Sequence, residues 1–323
     1  MPTTTPARPR VIAIEEHYWD AEMAALFRGS EAARPGPLAD SLYDLGEARI
    51  AAMDAAGIDV QVLSHGAPSA QKLDGPEAVA LTRRVNDRLA AAIATHPTRF
   101  AGFAALPTTD PVAAADELSR CVETLGFKGA MLHGMAHGLF LDDTRFRPIY
   151  ARAEKLGVPI YLHPSLPHPA VTAAYYDDYA ANFPTVVRPA WGFTVETATT
   201  ALRLILSGVF DAHPNLQIVL GHLGETLPFL LWRIESTLAR PGQKRVAFRE
   251  ILTRNFSVTT SGFFSTPALM CCVMELGIDR ILFAVDWPFA DNAAAVDWMA
   301  GVPLAAADRH KILAGNAERL LRM

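Results

Sequence analysis

Short apolar runs recur along the chain and alternate with longer stretches whose apolar positions fall at helical spacing. The runs predict strands at 11–14, 60–64, 100–105, 129–132, 159–163, 217–220, 256–260 and 281–285. Helices are expected at 46–55, 76–96, 111–125, 145–156, 196–206, 223–238 and 267–276, with two more starting near 292 and 305. Gly57 stands where the first helix needs a C-terminal cap, and Pro76 where the second needs its first turn. Two segments break the pattern and read as loops: 28–42, rich in Gly, Pro and Ala, and 164–193, rich in Pro and aromatic residues. Near-strict β–α alternation implies parallel strands covered by helices, and eight strands favour a (β/α)8 TIM-like barrel over an open doubly wound sheet. No G-x-G-x-x-G turn follows the first strand, which weakens the dinucleotide-binding form of the open sheet further. With no linker-like break, residues 11–323 are expected to form a single domain, and residues 1–10 a disordered tail.

In such a barrel catalytic groups stand at the C-terminal strand ends, so the residues that follow each apolar run matter most. The first run stops at Glu15-Glu16-His17, where strand alternation points Glu15 and His17 to one side and Glu16 to the other. The fifth ends in His163, the sixth in Gly221-His222 and the eighth in Asp286. Taken singly these have ordinary readings: a solvated turn, a core histidine, a helix start, a turn former before a proline. At one rim of four strands they make a mononuclear metal site with Glu15, His17, His163 and Asp286 as ligands and positions open for substrate or water. The mixed N/O set suits one divalent ion, Zn2+ or Mn2+, and lacks the thiolates of a structural zinc site. His222 is expected at the start of a helix with Glu225 three residues on, so that Glu225 orients the imidazole and raises its basicity. That assigns His222 to acid/base or polarising chemistry, with ligation left open. His133 and His65 end strands four and two and are candidate substrate contacts, whereas His96, His213 and His310 read as surface residues. The aromatic side chains of the long insertion, Tyr175, Tyr176, Tyr179, Phe183, Trp191 and Phe193, either wall off an apolar substrate or pack over the barrel mouth.

Composition narrows the class. Half of the 323 residues are hydrophobic, ample for one large core. The net charge of -5 is spread along the chain without a basic tract, which argues against nucleic acid and against an anionic membrane surface. Three cysteines, two of them adjacent in an apolar run, suit buried free thiols in a reducing compartment. No apolar stretch is long enough to span a bilayer and the first ten residues lack a signal-peptide core, so a cytoplasmic location is expected.

Several motifs carry a family resemblance: Glu15-Glu16-His17, Tyr161-Leu162-His163-Pro164, Leu220-Gly221-His222-Leu223-Gly224-Glu225, Trp232-Arg233-Ile234 and Asp286-Trp287-Pro288-Phe289. With the runs at 103–107, 126–130, 208–211 and 259–262, they span nearly the whole chain. The sequence resembles the amidohydrolase superfamily, and within it the metal-dependent decarboxylase branch that includes γ-resorcylate (2,6-dihydroxybenzoate) and aminocarboxymuconate-semialdehyde decarboxylases. Glu-x-His at the opening, where many relatives carry His-x-His, points to the resorcylate-like group. The resemblance implies an ortho-hydroxy aromatic acid as substrate, Asp286 protonating the ring carbon that bears the carboxylate, and release of carbon dioxide. It implies assistance from His222 and Glu225, and a contribution of Arg233 to a neighbouring subunit's site, hence a homodimer or homotetramer. There are departures: His133 replaces an Asn of the resorcylate enzymes, and His65-Gly66 replaces Leu-Asn, so the resemblance leaves the exact substrate open. The alternative within the superfamily is a lactone or ester hydrolase, or a hydratase, using a metal-activated water. A metal-binding scaffold without turnover is disfavoured because the whole catalytic set is present.

Overall fold

Alternation along each strand sorts its side chains into two layers of core. In the computed structural model, which describes residues 8–32, 35–239 and 246–323, eight strands run parallel. They are β1 (Ile12–Tyr18), β2 (Val60–His65), β3 (Phe100–Gly102), β4 (Ala130–His133), β5 (Ile160–His163), β6 (Ile218–Leu220), β7 (Phe256–Thr259) and β8 (Ile281–Leu282). Neighbours in sequence pair within the sets β1–β3 and β4–β8. The two sets join through a bridge between Ala104 and Ala130, and the seam between β8 and β1 closes through Ile14 N–H to Phe283 O at 3.2 Å and His17 N–H to Trp287 O at 2.8 Å. The fold is the (β/α)8 barrel that the strand count predicts.

Inside the barrel, Ile12, Ile14, Val60, Val62, Phe103, Met131, Tyr161, Val219, Leu282 and Ala284 form one buried cluster. Their outward-facing neighbours, among them Leu63, Leu132, Leu162, Leu220, Phe283 and Val285, pack under the helices in a second, larger one. The helix Gly75–Thr95 shows how the layers meet: it buries Leu81, Val85 and Leu89 at four-residue spacing, each contributing roughly 1.5–3 kcal/mol on burial. Gly102 on β3 allows the close approach, because a Cβ there would lie 2.9 Å from Ile93 and 3.1 Å from Leu89.

Element boundaries depart from expectation at several points: the third and eighth strands end early, at Gly102 and Leu282, and an unexpected helix, Phe248–Asn255, precedes β7. β1 does not stop at the charged cluster but runs through it to Tyr18. The segment 28–42, expected as loop, contains the helix Pro37–Tyr43, opened by a proline in its first turn after Gly36 at φ 146°. The insertion after β5 holds two short helices, Pro169–Tyr175 and Asp177–Ala180. The helix expected from residue 223 begins at Leu227, because His222, Leu223, Glu225 and Thr226 all have positive φ and form a tight left-handed turn instead. Of the expected disordered tail, residues 1–7 lie outside the described residues, while Arg8 pairs with Asp59 at 2.7 Å and Arg10 with Glu318 at 2.7 Å. All three cysteines are free. Among the described residues no helix is long and apolar enough to cross a membrane.

Candidate metal centre

A β-bulge aims the first ligand. Ile12 and Ala13 pair with Val60 and Gln61, but Glu16 and His17 pair with Leu63 and Ser64, so β1 carries one residue more than β2 between these points. Strict alternation from Ile12 and Ile14 would turn Glu16 inward. The bulge resets the phase, and Glu15 follows Ile14 into the barrel with His17 two residues on, while Glu16 turns to the outer side. Glu15 is then gripped from below: Tyr161 on β5 donates its hydroxyl to Glu15 Oε2, and Thr259 on β7 lies 2.9 Å from that hydroxyl. Gly221 leaves the necessary room, since a Cβ there would meet Glu15 Oε2 at 2.9 Å.

Glu15, His17, His163 and Asp286 each present one donor atom, and all four atoms lie within 4.8 Å of one another. His163 Nε2 is 3.5 Å from Glu15 Oε1, and His17 Nε2 is 3.1 Å from Asp286 Oδ1 without hydrogen-bond alignment. Glu15 Oε1, His17 Nε2 and Asp286 Oδ1 are buried and have no hydrogen-bond partner among the described residues. What distinguishes these three from other unpartnered buried atoms is that they converge, one imidazole nitrogen and two carboxylate oxygens aimed at one point, as a cation's ligands do. The imidazoles are pre-set for the task. His163 Nδ1 lies 2.8 Å from Pro164 O and His17 Nδ1 lies 3.3 Å from Ser64 Oγ, which leaves each Nε2 facing the centre. The donor set fits a divalent cation of the Zn2+ or Mn2+ type.

The electrostatics separate two kinds of histidine. Burial holds His163 well below the ordinary imidazole range, so it presents a neutral, ligating nitrogen. Burial also lowers His222, but the Glu225 and Glu15 carboxylates outweigh it and hold His222 well above that range. Glu225 Oε1 sits 2.8 Å from His222 Nδ1. The expected pair is therefore formed, by the left-handed turn and not by the helical face that the three-residue spacing suggested. His222 Nε2 faces Asp286 Oδ2 at 3.8 Å. Burial raises Glu15 well above the usual carboxyl range; it raises Asp286 too, but there the His17 and His222 imidazoles prevail and hold the group below that range. Burial likewise pushes Glu16 up to about 8, against two backbone N–H bonds and the Arg49 guanidinium.

A cavity of about 410 Å³ opens beside these ligands, with His17, His163, His222 and Asp286 on its floor and Trp19, Phe193 and Phe289 among its walls. Of the insertion's aromatic residues, only Phe193 lines it; Tyr176 is buried elsewhere, and Tyr175, Tyr179, Phe183 and Trp191 are exposed. His133 points inward from β4 but lies against His163, ring centroids 4.8 Å apart, and outside the cavity lining. Both its ring nitrogens lack partners among the described residues. His65 faces away from the barrel interior: its Nε2 accepts the Asp20 N–H at 3.0 Å, its Nδ1 lies 2.9 Å from Gly66 O, and burial lowers it to about 4. Strand parity already contained that result, because Val60 and Val62 face inward and residue 65 has the opposite parity. Arg233 is exposed on the helix Leu227–Thr237 and does not line the cavity. Tyr161, Thr259 and Gly221 were not among the expected site residues, although Tyr161 shares the parity of His163 on the same strand.

Comparisons with known proteins identify the family. The family described as Amidohydrolase matches residues 12–323. Gamma-resorcylate decarboxylase of Rhizobium radiobacter is 42% identical, with 97% of this chain and 98% of that protein covered. A crystal structure of 2,6-dihydroxybenzoate decarboxylase complexed with 2,6-dihydroxybenzoate superposes with a TM-score of 0.89 at 41% identity, covering 98% of this chain and 100% of that one. The dihydroxybenzoic acid decarboxylase of Polaromonas sp., crystallised with bound manganese and the inhibitor 2-nitroresorcinol, gives a TM-score of 0.90 at 39% identity, over 98% and 97% of the two chains. These relatives are carboxy-lyases, and the chain, which places a four-donor cluster at the C-terminal rim of the same barrel, belongs to the amidohydrolase family.

Proposed function

We propose that this protein is a metal-dependent nonoxidative decarboxylase of a hydroxylated aromatic carboxylic acid, with residues 11–323 working as one barrel. The observation that carries the reading is the convergence of orphaned Glu15, His17 and Asp286 atoms with His163 Nε2 on the floor of an aromatic-walled cavity. Glu15, His17, His163 and Asp286 would hold the ion. Bound there, a divalent cation supplies charge stabilisation to the substrate's carboxylate and ortho-oxygen.

The chain's own groups handle the proton. Asp286 stands at the cavity floor and delivers a proton to the ring carbon bearing the carboxylate; the C–C bond then breaks, its electron pair returns to the ring, and carbon dioxide leaves. That proton first reaches Asp286, which its neighbours hold below the usual carboxyl range, from His222, whose Nε2 faces Oδ2 and whose charged form Glu225 sustains; His222 takes its replacement proton from solvent. Trp19, Phe193 and Phe289 bury the ring and exclude water. His133, with two unpartnered nitrogens beside His163, is available to a ring substituent that reaches past that ligand, whereas His65 spends both nitrogens on the backbone.

A homodimer or homotetramer completes the reading. Phe229 and Trp232 are 80% and 71% exposed on one face of the helix Leu227–Thr237, and Tyr175 and Tyr179 of the insertion are 71% and 61% exposed. Exposed apolar surface of this extent marks a partner, and Arg233, next to Trp232, would reach the partner's site.

Three outcomes are expected. His163→Ala loses its bound metal, whereas His222→Ala keeps it and loses at least about a hundredfold in turnover; equal metal content in wild type and His163→Ala, read by elemental analysis, would sink the ligand assignment. Manganese- or zinc-loaded protein releases carbon dioxide from at least one of salicylate, 2,3- and 2,6-dihydroxybenzoate and 5-carboxyvanillate, and Asp286→Asn abolishes it. Silence across that panel with lactone hydrolysis in its place would move the protein to the hydrolases. Light scattering gives two or four times the chain mass; a monomer at micromolar concentration would remove the role of Arg233.

A further inference from the structure

Backbone accounting around Asp286 singles out Glu16. Past the end of β8 the amides of residues 283–287 find no regular ladder, yet each has an acceptor. Phe283 N–H reaches Ile312 O at 3.0 Å and Ala284 N–H reaches Thr260 Oγ1 at 3.0 Å. Asp286 N–H reaches Glu15 O at 3.1 Å. The two amides that flank Asp286 go to a single side chain: Val285 N–H to Glu16 Oε1 at 2.9 Å and Trp287 N–H to Glu16 Oε2 at 3.1 Å. Glu16 is fully buried and takes no part in lining the cavity. Between its two anchored neighbours Asp286 holds φ at 73°, a conformation that a residue with a side chain keeps only when its surroundings enforce it.

Arg49 closes the arrangement from the other side. It is 1% exposed and donates from Nη2 to His17 O at 2.6 Å, from Nε to Asp44 O at 2.8 Å and from Nη1 to Gln61 Oε1 at 3.2 Å. Its guanidinium stacks on the Trp287 ring at 4.2 Å from the centroid. One buried arginine therefore grips the backbone of ligand His17 and the ring that follows ligand Asp286.

We infer that Glu16 is a positioning residue for Asp286, with Arg49 holding the neighbouring Trp287 ring: its two oxygens fix the flanking amides so that Oδ1 turns to the metal position and Oδ2 to His222. The same β1 bulge that sends Glu15 and His17 inward sends Glu16 to this seam, so consecutive residues supply a ligand and the strap for a ligand on the opposite side of the seam. A glutamate is required because both amides need an acceptor, and the amide of a glutamine would turn a donor towards one of them. The inference rests on the metal-site reading above.

The test is a double-mutant cycle read as manganese affinity by calorimetry, on full-length protein, with Glu16→Gln, Asp286→Asn and the pair. Glu16→Gln alone should weaken manganese binding by about tenfold, in the range of losses at groups that orient metal ligands. In the Asp286→Asn background the same change should cost less than about twofold, because the group being positioned is already lost. Equal losses in both backgrounds would mean that Glu16 serves the fold alone and would overturn the inference while leaving the metal site intact. Wild-type protein that takes up no manganese would overturn both. If Glu16→Gln does not fold, as judged by its thermal transition, Glu16→Asp, which keeps the carboxyl group but falls short of the amides, is put through the same cycle with the same criteria.

Discussion

Two carboxylates and two imidazoles, three of the four residues buried, whose donor atoms lie within 4.8 Å of one another are the constraint on which the rest of this structure turns. Burying one unpaired carboxylate costs several kcal/mol even after relaxation, and here Glu15 and Asp286 face the same point. The protein answers by fixing each group's far side while leaving its near side free. Tyr161 takes Glu15 Oε2, Pro164 takes His163 Nδ1, Ser64 takes His17 Nδ1, and His222 stands by Asp286 Oδ2. What remains is a set of lone pairs aimed at one position, which a divalent cation satisfies at once. The opposite protonation preferences of His163 and His222 follow from the same arrangement. One sits among other imidazoles in an apolar wall, and the other leans on Glu225.

The barrel explains how such a set can be assembled from residues 271 positions apart. Parallel strands deliver all their C-terminal ends to one rim, and the hydrogen bonds of the β8–β1 seam bring Asp286 beside Glu15 and His17. Inner-layer side chains fill the barrel up to Tyr161 and Val219, so the ligands stand on packed apolar matter and not over a pore. The same rigidity makes one glycine decisive. Without a side chain at Gly221 there is room for Glu15 to lie across the strand ends.

Much of this was legible in the sequence because strands and helices obey simple periods. The eight apolar runs and the Gly57 cap appear where expected, and the four converging side chains could be named by asking what followed each run. Three things were hidden for physical reasons. The bulge in β1 is a matter of pairing register between two strands, which no single strand's pattern reveals. The turn at 222–226 looks helical in composition, since residues there differ from helix formers only in the backbone angles that their neighbours impose. The exposed aromatic residues of the insertion carry no mark in the chain that says whether they face a cavity or a partner. His65 is the opposite case: it ends a strand, yet its parity with Val60 and Val62, plain in the sequence, places it outside the interior.

The most direct measurement is an anomalous difference map from crystals grown with manganese and collected above the manganese edge. One strong peak bounded by Glu15, His17, His163 and Asp286, with Glu16 still spanning the Val285 and Trp287 amides, is the result that this account predicts. A map with no peak among those four side chains, or with the ion held by other residues, would contradict it.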